Sequence, residues 1–215
     1  MEIWNGNGKA SMKLGVLGGT FDPVHRGHIA IAEEARQRLS LDSVLFMPAG
    51  QPWMKPGSYI TPAQHRVEMV RLAIAGEPNF ELSTLEIERR GPTYTVETLV
   101  ELKDRLGEGV EIFFIMGVES LESLPQWQNP DRIITLCQLV AVPRPGYGAP
   151  DIRALEAKIP GLSRRVILPD GPLVDISATD IRERAVRGLP ISHLVPEAVA
   201  RYIKEHGLYQ KREER

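Results

Sequence analysis

Short apolar runs alternate with amphipathic stretches along most of this chain, and that alternation restricts it to folds built from βαβ units. Residues 13–17, 43–48, 80–85, 111–116 and 138–142 read as strands, with a further short one over 165–168. Between them the apolar residues recur at helical spacing, as at Ile31, Ala32, Ala35 and Leu39. Runs such as Ile112-Phe113-Phe114-Ile115-Met116 are apolar throughout, as strands covered on both faces must be. The expectation is an α/β doubly wound parallel sheet, with a C-terminal helical portion where helical patterns over 177–187 and 196–206 follow the last strand.

In such sheets ligands bind beyond the carboxyl ends of the strands. The first strand end here is Gly18-Gly19-Thr20-Phe21-Asp22-Pro23-Val24-His25-Arg26-Gly27-His28. Gly18 and Gly19 let the backbone turn sharply and approach a bound group, and Gly27 opens a helix whose amides suit an anion. If that helix begins near Arg26, His25 and His28 share one side of its first turn. A glycine-rich turn alone fits many strand-helix joints. The glycine pair, the Phe-x-Pro element and the paired histidines together point to phosphate. Gly117-Val118-Glu119-Ser120-Leu121 is a second strand-end turn and implies the opposite wall of a crevice.

Charge narrows the guest. With 26 basic and 28 acidic side chains, the net charge is -2, which leaves no basic field for nucleic acid. The anion site is therefore local and the substrate small. No apolar run is long enough to cross a bilayer, and residues 1–8 lack the basic and apolar regions of a secretory signal. A cytoplasmic location is expected. Residues 1–12 read as a disordered extension, 13–209 as one domain and 210–215 as a charged tail. The single cysteine, Cys137, sits in an apolar run and reads as a buried thiol. No third obvious ligand accompanies the two histidines, so no metal site is expected, with a zinc site as the minor alternative.

Other residues carry competing readings. Lys55, in the glycine- and proline-punctuated loop 49–59, is a solvated lysine or a phosphate contact. Thr61-Pro62-Ala63-Gln64 has the pattern of a capped helix start, with Val67, Val70, Leu72 and Ala73 as its apolar side. Thr93 or Thr95 could cap the helix that carries Val96 and Leu99, and Trp127 could be packing. Ser177 suits an N-cap, while Ser177, Thr179 and Arg182 could equally present donors to the crevice. His193 and His206 have no site-like spacing.

Gly-Thr-Phe-Asp-Pro-Val-His-Arg-Gly-His resembles the HxGH signature of the nucleotidyltransferase superfamily, in the longer form of bacterial nicotinate-nucleotide adenylyltransferases. The resemblance extends from Lys13 to Tyr209. Thr93-Tyr94-Thr95 with Glu97-Thr98-Leu99 is similar to that family's Ser-Tyr-Thr and Asp-Thr-Leu elements, and 176–182 to its Ile-Ser-Ser-Thr-x-x-Arg element, with Ala178 for the second serine. Pro52-Trp53-Met54-Lys55 stands where the family often has Pro-Pro-His-Lys, and Gly117-Val118-Glu119 where it usually has Gly-Ala-Asp.

The resemblance implies a Rossmann-like nucleotidyltransferase fold that joins ATP to nicotinate mononucleotide, with Mg²⁺ on the phosphates. Thr20, His25, His28, Lys55 and Arg182 would hold the reacting phosphates. Gly18, Gly19, Phe21, Gly117, Glu119, Ile176, Ser177, Thr179 and Arg182 would bind ATP, Glu119 through the ribose. Thr93, Tyr94, Thr95 and Trp127 would bind the nicotinate nucleotide, with Trp127 stacked on the pyridine ring. Self-association is left open. Two alternatives stand beside this: adenylylation of nicotinamide mononucleotide or phosphopantetheine, and a nucleotide-sensing module without turnover.

Overall fold

The computed structural model describes residues 11–52, 60–107, 109–143, 145–169 and 175–210. Lys55 with the Trp53-Met54 pair, residues 1–10 and residues 211–215 lie outside them. Strands β1 (Met12–Gly19), β2 (Ser43–Pro48) and β4 (Phe80–Leu82) join β6 (Val110–Gly117), β7 (Gln138–Val142) and β8 (Val166–Ile167) in one six-stranded sheet. Its order is β4-β2-β1-β6-β7-β8, and every pairing is parallel. The chain winds outward from β1 in one direction and returns to start again at β6. The order therefore reverses between those two strands, as in dinucleotide-binding folds.

Helices α1 (Arg26–Leu39) and α2 (Ala63–Ile74) cover one face, together with α8 (Ala178–Val186) and α9 (Glu197–Glu205). Helices α4 (Thr95–Leu106), α5 (Val118–Ser123), α6 (Pro130–Leu136) and α7 (Ile152–Lys158) cover the other. The alternation of β6 assigns its side chains: Ile112, Phe114 and Met116 join the core beneath α4 and α6, while Phe113 and Ile115 join the core beneath α1 and α2. The C-terminal helical portion is thus half of a layer. Val199 and Ile203 fasten α9 to it.

Several local expectations change. Met12, assigned to the extension, is buried and opens β1, where its amide donates to the Gly109 carbonyl at 2.9 Å. The strand expected over 80–85 ends at Leu82, because the Ser83 hydroxyl accepts the Leu85 amide (3.3 Å) and turns the chain into a short helix, α3 (Leu85–Glu88). The loop 49–59 and the link after α3 each contribute a two-residue strand, β3 (Gln51–Pro52) and β5 (Pro92–Thr93), which pair in parallel. Thr61 caps nothing: Pro62 is the N-cap of α2, and the Thr61 amide donates instead to Asp22 Oδ2 at 3.1 Å. The buried side of α2 is Arg66, Met69, Val70 and Ile74, so Val67, Leu72 and Ala73 flank it.

Candidate active site

A cavity of about 470 Å³ opens beyond the carboxyl ends of β1 and β6, at the point where the strand order reverses. Gly18, Gly19, Thr20, His25 and His28 line one side, Gly117 and Glu119 the second, and Thr93, Thr95 and Trp127 the third. Ile176 closes the rim. Eleven residues singled out in the sequence therefore share one space, although they come from four separate stretches of chain.

The histidines are arranged by the start of α1, which falls at Arg26 as expected. His25 is its N-cap in extended conformation, and its amide donates to His28 Nδ1 at 3.1 Å. A neutral imidazole that accepts at Nδ1 carries its proton on Nε2. His28 therefore presents Nε2–H as a donor edge. The two rings stack with centroids 3.7 Å apart, and the Phe21 ring meets His28 edge-on at 4.9 Å. Phe21 is buried beneath the turn and does not line the cavity, so it supports the histidine from below. Not all of the helix-start amides face an anion: Arg26 N donates to the Leu194 carbonyl and His28 N to the His25 carbonyl, both at 2.9 Å.

Behind the turn lies a polar network joining distant parts of the chain. Asp22, only 6% exposed, accepts the Thr61 amide at Oδ2 and the Tyr209 hydroxyl at Oδ1 (2.6 Å). Burial and the neighbouring Asp22 carboxylate push the Tyr209 phenol well above its ordinary range. Arg66, 2% exposed, donates to the carbonyls of Thr61 (2.9 Å), Thr20 (2.9 Å), Ala49 (2.8 Å) and Gly50 (3.3 Å). Burial lowers its guanidinium from the usual value, with Asp22 opposing. Arg182 Nη1 donates to the Asp22 carbonyl at 2.8 Å and Nη2 to Thr179 Oγ1 at 3.2 Å. The guanidinium expected to grip phosphate thus holds the back of the turn, because Ile181 buries α8 against the sheet beside it. Ser177 serves as the α8 N-cap, accepting the Asp180 amide at 3.0 Å, and neither it nor Thr179 lines the cavity.

On the second wall, the longer side chain of Glu119 folds back over Gly117. A Cβ at position 117 would lie 2.3 Å from Glu119 Oε2, so a side chain there would displace the carboxylate from this position. On the third wall, Tyr94 is the α4 N-cap by its backbone alone, and no threonine side chain caps that helix. Tyr94 packs against the core and stays out of the cavity, while Thr93 and Thr95 on either side line it. Trp127 presents a cavity face while its edge meets Phe114 at 88° and its indole N–H donates to Ser123 Oγ at 3.2 Å.

Three residues of this architecture escaped the sequence reading. Arg66 had a signal, since it interrupts the apolar stripe of Met69, Val70 and Ile74 with a charge. Asp22 lay inside the recognised turn, but its partners are 39 and 187 positions away. Glu86, on the four-residue helix α3, too short to show a periodic pattern, lines the cavity. Among residues set aside, Cys137 is buried, with its thiol pushed up to about 12 by desolvation. His206 stacks on Tyr202 at 4.0 Å where α9 meets α2, away from the cavity, and His193 is exposed. No described helix is long and apolar enough to cross a membrane.

The cytidylyltransferase-like family profile matches residues 16–184. A protein of Dehalococcoides mccartyi named a nicotinate-nucleotide adenylyltransferase is 52% identical over 201 residues, covering 94% of this chain and 98% of that protein. A Roseiflexus protein of the same name is 48% identical over 202 residues, covering 94% of this chain and all of its own length. The structure of the Plasmodium falciparum nicotinic acid mononucleotide adenylyltransferase in complex with NaAD superimposes with a TM-score of 0.75 at 16% identity, covering 92% of this chain and 97% of that one, a likeness of fold. The profile over most of the chain and relatives of this identity and length show that the chain belongs to the cytidylyltransferase-like nucleotidyltransferases and, within them, to the nicotinate-nucleotide adenylyltransferase family.

Proposed function

We propose that this protein transfers the adenylyl group of ATP to nicotinate mononucleotide, giving nicotinate adenine dinucleotide and pyrophosphate, a step of NAD biosynthesis. The observation that carries the reading is the joining, in one cavity, of a stacked histidine pair at a strand-end turn and an aromatic face flanked by threonines. The first suits phosphate and the second suits a flat, acidic ring.

The acceptor's phosphate oxygen attacks the α-phosphorus, the bond from that phosphorus to the β-phosphate oxygen breaks, and pyrophosphate departs with the electron pair. The attacking group is already anionic and the leaving group is a stable anion, so neither a strong base nor a covalent nucleophile is required. What remains is alignment and charge stabilisation. Thr20, His25 and His28 supply donors to the reacting oxygens. Trp127 stacks on the pyridine ring, Thr93 and Thr95 face its carboxylate, Glu119 takes the ribose of ATP, and Gly18, Gly19, Gly117 and Ile176 give the nucleotide room. Arg182 and Phe21 act through the turn they hold. Ser177, Thr179 and Tyr94 support the walls from outside the cavity, and Lys55 is assigned a phosphate contact on family resemblance alone. Mg²⁺ would be held chiefly by ATP's own oxygens and water, and would supply positive charge to the phosphates. That fits a donor set of hydroxyls and imidazoles, and among the described residues no three His, Cys, Asp or Glu side chains gather as ligands.

Pyrophosphate release from ATP, measured with nicotinate mononucleotide, nicotinamide mononucleotide and phosphopantetheine in turn, tests the reading. Fastest release with the nicotinate nucleotide is expected. Faster release with either other acceptor contradicts it, and ATP binding without release from any acceptor identifies a sensing module.

A further inference from the structure

We propose that Glu86 is a positioning residue that sets the seat of the acceptor's pyridine end, by clamping the segment 93–95 to the chain that follows β2. The inference rests on the adenylyl-transfer reading above. Glu86 comes from α3 and lines the cavity beside Thr93 and Thr95. Its carboxylate is tied to α4, where Thr98 Oγ1 donates to Oε1 at 2.8 Å, and the Thr93 side chain of β5 and the Gly50 backbone lie close beside Glu86.

The backbone repeats the clamp. A Cβ at Gly50 would stand 2.2 Å from the Glu86 carbonyl oxygen and 3.0 Å from Thr93 Cγ2, so the three segments meet at a point that only glycine admits. One step on, β3 and β5 pair through Pro52 and Thr93. From behind, Arg89 Nη1 donates to the same Thr98 hydroxyl at 3.0 Å, and its Nη2 reaches Glu101 at 2.5 Å. Burial pushes the Glu86 carboxyl above its ordinary value, while the hydroxyls, the Gly50 amide and the Arg89 charge oppose that shift.

A carboxylate lining the seat of another carboxylate would repel it if its own charge faced the cavity. Here the Thr98 hydroxyl draws that charge into the wall, and the same bond ties α3 to the start of α4, next to the segment whose other side meets the substrate. Removing the carboxylate therefore frees that donor and loosens the seat. The phosphate turn, across the cavity, is held from behind by Asp22 and Arg182, while Arg66 ties Thr20 to the 49–50 backbone independently of the Glu86 carboxylate.

Steady-state kinetics of Glu86→Ala and Glu86→Gln, with each substrate varied, tests this. Glu86→Ala is expected to raise KM for nicotinate mononucleotide on the order of tenfold, with kcat and KM for ATP within about twofold. Glu86→Gln, which keeps an acceptor oxygen, is expected to recover most of the loss. Should Glu86→Ala not fold, Thr98→Val removes one donor at constant shape and is expected to move the same KM in the same direction. An unchanged KM overturns the proposal. So does an equal rise in both KM values, which marks general destabilisation, and so does a lower acceptor KM in both Glu86 variants, which marks simple charge repulsion. Failure of the underlying reading is distinct: the wild-type protein would then not use nicotinate mononucleotide at all.

Discussion

His28 has two tasks that one mutation removes together and two measurements tell apart. Its Nδ1 caps the His25 amide and its opposite edge faces the cavity, so His28→Ala removes a cap and a donor together. The cap costs about 1 kcal/mol of stability in chemical denaturation. The donor is expected to cost about 3 kcal/mol of barrier, on the order of a hundredfold in turnover. Equal turnover in variant and wild type would remove this histidine from the chemistry. Cys137 makes a contrasting case. With its thiol near 12, the thiolate at pH 8 is scarce, so iodoacetamide should label the native protein roughly a thousandfold more slowly than the unfolded chain. The histidine turn was legible because its geometry is local: a helix start and a three-residue spacing. Asp22, Arg66 and Glu86 were not, since each is defined by partners that only the folded sheet brings near.

Among the elements, α9 and the residues after it act on the site from a distance. Tyr209 reaches across the fold to Asp22, beside the histidine turn, and its hydroxyl bond is short and partly buried. Tyr209→Phe deletes that bond together with the hydroxyl's contact to Thr61 and is expected to cost about 2 kcal/mol in urea unfolding, as for a hydrogen bond to a charged group. A stability equal to wild type would show that water replaces the hydroxyl at no cost. The long strands and helices were legible from periodicity and from stop signals such as Gly188, which adopts a positive φ of 68° just after α8. The two-residue strands β3 and β5 were not. They exist because Gly50 and Glu86 bring two loops together, and no repeating pattern can form in two residues.

For the whole molecule, the decisive feature is the reversal of strand order between β1 and β6. It places two strand-end turns side by side, one from residue 18 onward and one from residue 117 onward, and so turns two ordinary loops into the walls of one cavity. The strand runs announced a doubly wound sheet, but the position of Arg182 behind the turn depends on how α8 docks, which no periodicity encodes. If the cavity holds both nucleotides, a saturating pair of nicotinate mononucleotide and a non-hydrolysable ATP analogue should stabilise the fold. The expected gain is about 2.7 kcal/mol for each ligand at a hundred times its Kd, read as a rise in Tm. The most direct measurement is a crystal structure with nicotinate adenine dinucleotide bound. The account predicts the pyridine ring against Trp127 and the bridging phosphates at the turn bearing His25 and His28. A dinucleotide lying outside this cavity, or with its phosphates away from that turn, would contradict it.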